Sequence, residues 1–118
     1  LMVSETTSEH AGEPSKDGTY KVTSTIKVLE PGEVCTMSYI CFGPFQKKRH
    51  AEVLKKYLET KFARFLILQA TTSIHLTKGF IFVPQIDFED SVSDEKLYKH
   101  FNLSKKEIEY IDSLIKEI

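Results

Sequence analysis

A chain of 118 residues with 41% hydrophobic, 28% charged and 11% aromatic residues has the composition of one soluble globular domain, which excludes a chain disordered throughout and leaves no room for a catalytic module beside a second domain. Its longest apolar run, Phe65 to Leu68, falls far short of the roughly 18 to 20 residues that a membrane-crossing helix requires, so no membrane partner is expected. The net charge of -1 conceals a segregation: residues 1–34 carry three lysines against six carboxylates, residues 35–86 eight cations against two, and residues 87–118 five against nine, a basic centre in an acidic frame that can attract phosphates locally.

Residues 1–18, rich in Ser, Thr, Glu and Gly, read as a mobile N-terminal arm ahead of a single α+β domain over 19–118. Leu1 standing before Met2 suggests a piece of a longer polypeptide, and the absence of a secretory pattern makes the cytoplasm the expected location. From Tyr20 to Val28, β-branched residues alternate with polar ones, which predicts a half-buried strand. Glu30-Pro31-Gly32-Glu33 predicts a turn, and Val34 to Phe42 a second strand paired antiparallel with the first and closed by Gly43-Pro44. In one continuous strand Cys35 and Cys41 stand roughly 20 Å apart. That is too far to bridge, so two buried thiols are expected.

After Phe45 the period changes. Ala51, Leu54, Leu58, Phe62, Phe65 and Leu66 recur at spacings of three and four, which predicts one core helix from about Lys47 into the 60s, with Lys48, Arg49, Lys55 and Lys56 off its apolar face. Thr71-Thr72-Ser73 interrupts the pattern, and Phe80 to Val83 predicts a short strand ended by Pro84. Ser93-Asp94-Glu95 and the capping box Ser104-Lys105-Lys106-Glu107 start two C-terminal helices, the second with the stripe Ile108, Ile111, Leu114, Ile115 and Ile118. The predicted fold is α+β: a small antiparallel sheet packed against a long helix, with two C-terminal helices.

Catalytic patterns are scarce. His10, His50, His75 and His100 lack the close spacing of zinc ligands, and there is no Gly-rich phosphate loop and no nucleophile elbow. Glu59-Thr60-Lys61 matches half of a metal-dependent nuclease signature with Asp17 as a possible distant acid, but a nuclease needs those residues on a strand and here they fall in a helical pattern. The cations Lys47, Lys48, Arg49, Lys55, Lys56, Lys61, Arg64 and Lys78 make a surface several phosphates long and are the candidate DNA-contacting residues. Lys61, Arg64 and Lys78, near the hydroxyls of 71–73, are the candidates for the closest contacts. Phe62, Phe65, Phe80 and Phe82 fit a core better than a stacking platform.

Four segments carry a resemblance. Val34-Cys35-Thr36-Met37-Ser38-Tyr39-Ile40-Cys41-Phe42-Gly43-Pro44-Phe45 resembles the "CCTETYLVIGPF" segment near the C-terminus of adenine-specific DNA methyltransferases of bacterial restriction-modification systems. Tyr57 to Leu66 is similar to their "YLxTKFFRFL" helix, 82–88 to "FVPxQDF", and Asp94 to Ile111 to "DEKLYxxFxLxxxEIxxI". The order is preserved over 34–118. This chain departs with Ala63 for the second Phe and Val34 for the first Cys, both packing positions. The resemblance implies a target-recognition region that follows the methylase domain, with double-stranded DNA and that domain of the same polypeptide as partners, in a parent that methylates adenine and could also cleave. It implies no cofactor here: S-adenosylmethionine and the Asn/Asp-Pro-Pro-Tyr motif belong to the upstream domain, and this chain has no Pro-Pro pair.

Overall fold

A computed structural model describes residues 1–4, 18–20, 22–23, 25–34, 36, 39–70, 79–85 and 91–116. Among the described residues, three short strands, β1 (Met2–Ser4), β2 (Ile26–Lys27) and β3 (Tyr39–Cys41), and four helices, α1 (Lys48–Glu59), α2 (Lys61–Ala70), α3 (Asp94–His100) and α4 (Lys105–Leu114), make the α+β class that the sequence predicts. A 3₁₀ turn at Gly79–Phe82 lies between α2 and α3.

The sheet departs from the expected hairpin. Its order is β2-β1-β3, with β1 antiparallel to both neighbours, so residues 2–4, expected in the mobile arm, form the central strand. Val3 is fully buried and sits between Ile26 and Ile40, a row of apolar side chains across the sheet of the kind that stabilises strand pairing. Leu1 and Phe42 extend the ladder by exchanging N–H···O=C bonds of 3.1 and 2.8 Å. A strand of three residues is too short to display a period, which is why the N-terminus reads as arm. Residues 5–17 lie outside the described residues.

The turn after β2 forms as predicted. The Glu33 N–H donates to the Glu30 carbonyl at 3.0 Å, and Gly32 at φ 87° supplies the left-handed position of a Pro-Gly turn. The second strand is shorter than expected: β3 begins at Tyr39, whose N–H donates back to the Thr36 carbonyl at 3.2 Å. The premise that kept the cysteines apart therefore fails: Cys41 is disulfide-bonded, at an exposed position, and is not a buried thiol. Cys35 lies outside the described residues.

The predicted long helix is two helices. Thr60 adopts an extended ψ of 152° between them. Its Oγ1 donates to the Tyr57 carbonyl at 2.6 Å and accepts from the Ala63 N–H at 3.2 Å, so one hydroxyl ends α1 and caps α2. α2 is the hub, packed against α1, α3, α4 and the 3₁₀ turn. It buries Phe62, Ala63, Arg64 and Ile67 around most of its circumference, as an interior helix must. Fully burying side chains such as Ile67, Leu97 and Val3 is worth about 1.5–3 kcal/mol each. The remaining core comes from Leu1, Val22, Tyr57, Leu58, Tyr98, Ile111 and Ile115.

Phe80 to Phe82 belong to the 3₁₀ turn and not to a strand. Phe80 packs edge-on against Phe42 with centroids 5.1 Å apart, while Ile81 and Phe82 face outward at 71% and 53% exposure. A short apolar run fixes neither period, and here the neighbouring helix decides it. Both C-terminal helices begin where predicted, α3 at Ser93 and α4 at the capping box of Ser104 and Glu107. After α4 the chain extends at Ile115 and pairs in parallel with Tyr20, through Tyr20 N–H to the Leu114 carbonyl and Lys116 N–H to the Tyr20 carbonyl, each 2.8 Å.

Candidate nucleic-acid interface

The eight candidate cations separate into three groups. Lys47, Lys48, Arg49 and Lys56 are exposed and Lys55 is half-exposed, all at or on α1. Lys61 and Arg64 open α2 and turn into the fold. Lys78, with the hydroxyls of 71–73 and His75, lies outside the described residues.

At about 100° per residue, Ala51, Leu54 and Leu58 share the inward side of α1, Arg49 and Lys56 lie across from them, and Lys48 lies on the flank between. Glu52 sits within that outward stripe, so the face is predominantly but not purely cationic. Two lysines of α1 have carboxylate partners. Lys48 Nζ donates to Glu30 Oε1 at 2.7 Å, which ties the Pro31-Gly32 turn to the helix start and raises the lysine pKa, chiefly through that hydrogen bond. Lys55 pairs with Glu59 at 3.8 Å, one helical turn on. Both pairs lie at the surface, where solvent screens them, so each contributes little and yields readily to a competing anion. α1 has no acidic residue in its first turn and no side-chain cap on Lys47, so its N-terminal field is left positive.

Arg64 is placed otherwise than expected. It is only 2% exposed. Its Nε donates to the Glu59 and Thr60 carbonyls at 2.9 and 3.3 Å, and a terminal guanidinium nitrogen donates to the Lys116 carbonyl at 2.5 Å. It thus binds the α1 C-terminus to the extended segment after α4, and a group so enclosed cannot reach a groove without unfolding its surroundings. Lys61 is 16% exposed at its side chain and pairs with Asp112 of α4 at 3.5 Å.

These two residues belong to a polar network that also includes Asp94, to which the sequence assigns no role beyond the start of α3. The Asp94 carboxylate accepts from the backbone N–H groups of Lys61 and Phe62, at 3.2 and 2.9 Å. With Thr60 taking the third, the first donors at the α2 N-terminus are satisfied, and one carboxylate lies at the positive ends of both α2 and α3. Tyr98, 8% exposed, packs edge-on against Phe62 with centroids 6.4 Å apart. Burial, and then the nearby Asp94 and Asp112 carboxylates, push its phenol well above the ordinary tyrosine range. Tyr57 donates its hydroxyl to the Pro84 carbonyl at 2.8 Å, and burial raises its pKa to about 12. The segments around Tyr57–Leu66, Pro84 and Asp94–Ile111 are therefore joined through Tyr57, which reaches Pro84, and Asp94, which caps α2, while Arg64 ties the first of them to Lys116. The signal that could have pointed to this was their joint occurrence.

The nuclease half-signature does not fall on a strand. Glu59 ends α1 and Lys61 starts α2, neither on a strand, and Asp17 lies outside the described residues. Among the described residues no group of three or more His, Cys, Asp or Glu side chains is arranged to hold a metal ion, and no helix is long and apolar enough to cross a membrane. Comparison with protein-family models, with curated proteins and with solved structures finds no match to this chain.

Proposed function

We propose that this chain is a DNA-contacting module of the target-recognition region of a restriction-modification adenine methyltransferase, working in the cytoplasm and carrying no chemistry of its own. The observation that carries the reading is the division of labour among its cations. Lys61 and Arg64 are consumed in holding the fold, whereas Lys47, Lys48, Arg49, Lys55 and Lys56 stand at the surface on or beside α1, within reach of an approaching polyanion. Cations that neutralise phosphates act from such exposed positions. The reading rests also on the sequence resemblance, which places the cofactor S-adenosylmethionine and the methyl transfer in an upstream domain. The disulfide at Cys41 belongs to an oxidising environment and does not support the cytoplasmic part of the reading.

Fluorescence anisotropy with a labelled duplex of about two helical turns, titrated from low to physiological salt, tests the reading. The chain binds weakly and its log K falls steeply with log salt. In the K47E/R49E/K56E variant that slope diminishes by about 0.9 for each phosphate no longer neutralised. Binding that ignores salt, or a variant that binds as the unaltered chain does, overturns the proposal. A second reading, a module that docks onto the methylase domain without touching DNA, draws on the outward-facing Ile81 and Phe82. Its distinguishing result is tight association with the separated catalytic domain that disappears in I81S/F82S and is indifferent to the α1 charge reversal.

A further inference from the structure

The C-terminal third is acidic as a whole, yet its charges are not evenly spread. From 96 to 106 the chain carries Lys96, Lys99, His100, Lys105 and Lys106 and not one carboxylate; Glu95 and Glu107 bracket the run. These residues surround the corner between α3 and α4, and all five are exposed. Lys96 reaches Ser91 Oγ, and among the described residues no carboxylate lies within ion-pair distance of Lys99, Lys105 or Lys106.

The corner is rigid. α3 ends with Asn102 at φ 54°, the Asn102 N–H donating to the Lys99 carbonyl at 3.2 Å and the Leu103 N–H to the Tyr98 carbonyl at 2.9 Å, the two bonds of a Schellman turn. The next residue, Ser104, opens the capping box of α4. Phe101 stacks on Phe62 at 5.1 Å and 14°, fixing the corner to α2. Lysines held on such a frame lose little backbone freedom on binding a polyanion.

The needs of the fold account for only some of these cations. Lys99 and His100 sit at the C-terminal end of α3, where a helix favours positive charge. Lys105 and Lys106 occupy the first turn of α4, where the same dipole disfavours it, so two adjacent lysines there weaken the helix that carries them. Glu107 stands in the same turn, but its carboxylate is turned back to accept the Ser104 N–H as the cap, and Lys105 and Lys106 are left exposed; a cost accepted at this exposed corner points to an external anion. We infer that the α3–α4 corner is a second contact surface for the sugar-phosphate backbone of duplex DNA, separate from α1. The identity of the polyanion rests on the function proposed above; the location of the surface does not.

The experiment compares three full chains, unaltered, K105E/K106E and K47E/R49E/K56E, by anisotropy with the same duplex across a salt range. Thermal melts accompany them, together with cosedimentation on vesicles rich in anionic lipid. The corner variant is expected to bind roughly tenfold more weakly at low salt, with the salt slope reduced by about 2. Its melting temperature should be unchanged or higher, since acids now stand at a helix N-terminus, so unfolding cannot explain the loss. Duplex binding equal to that of the unaltered chain overturns the inference, and if the α1 variant is impaired at the same time, the proposed function survives it. A loss in the corner variant alone supports the inference and removes α1 from the interface. No binding by any chain overturns both, as does binding to vesicles in place of duplex.

Discussion

Replacing Arg64 by alanine separates a structural cation from a DNA-reading one. The side chain is 2% exposed and donates to three backbone carbonyls, of Glu59, Thr60 and Lys116. Hydrogen bonds from a charged donor are worth about 1.5–3 kcal/mol each when a partner is left unpaired, and truncating a large buried side chain costs about 2–5 kcal/mol through the space left behind. Two effects oppose this: the guanidinium no longer has to be desolvated, a cost of several kcal/mol, and water can reach the carbonyl of the exposed Lys116. The net loss is about 3 kcal/mol, which in a domain of this size lowers the melting temperature by about 10–15 °C. Urea and thermal denaturation measure it. R64K should recover only part, because a lysine ammonium cannot reproduce the guanidinium fork. K56A, on the outward face of α1, should stay within about 0.5 kcal/mol. An R64A chain that melts as the unaltered one does while binding DNA less well would falsify the structural assignment and return Arg64 to the interface.

Asp94→Ala removes the carboxylate that caps α2 and should cost about 1–2 kcal/mol in urea denaturation, with D94N retaining part of the effect through its one carbonyl acceptor. Glu107 has its pKa lowered, first by the Ser104 backbone N–H and then by the Ser104 hydroxyl. Its stabilisation is therefore present above the ordinary carboxylate pKa and lost as pH falls through the depressed value, and E107Q should flatten that part of the acid limb of a stability-against-pH curve. Tyr57 runs the opposite way: with its pKa raised by burial to about 12, its contribution is intact below about pH 10 and disappears as pH rises toward 12. Y57F should show a shallower alkaline loss of stability, and an unchanged alkaline limb would place the phenol in solvent.

The cations illustrate how far a sequence can be read for function. Both Arg64 and Lys56 occur in one helical, cation-rich stretch, and charge alone treats them alike. They part because Thr60 breaks the helix and rotates α2 into the interior, so that Arg64 faces carbonyls and Lys56 faces solvent. The corner at 96–106 was hidden by averaging: summed over the tail, its lysines are outnumbered by carboxylates that lie elsewhere. Only the adjacency of α3 and α4 isolates them.

By itself the sequence determined what local chemistry can determine. The caps at Ser93 and Ser104, the Pro31-Gly32 turn, the apolar stripes of α1 and α4 and the α+β class all depend on bonds and periods within a few residues of each other. Tertiary structure decided whatever depends on a partner distant in the chain. It drew residues 2–4 into the middle of the sheet, turned Phe80–Phe82 into a 3₁₀ turn against α2, brought Asp94 to the N-terminus of a helix more than thirty residues away, and enclosed Arg64 against Lys116. A three-residue strand or a single carboxylate carries no pattern of its own, and its place is settled only by which unpaired N–H and C=O groups the rest of the fold leaves for it to satisfy.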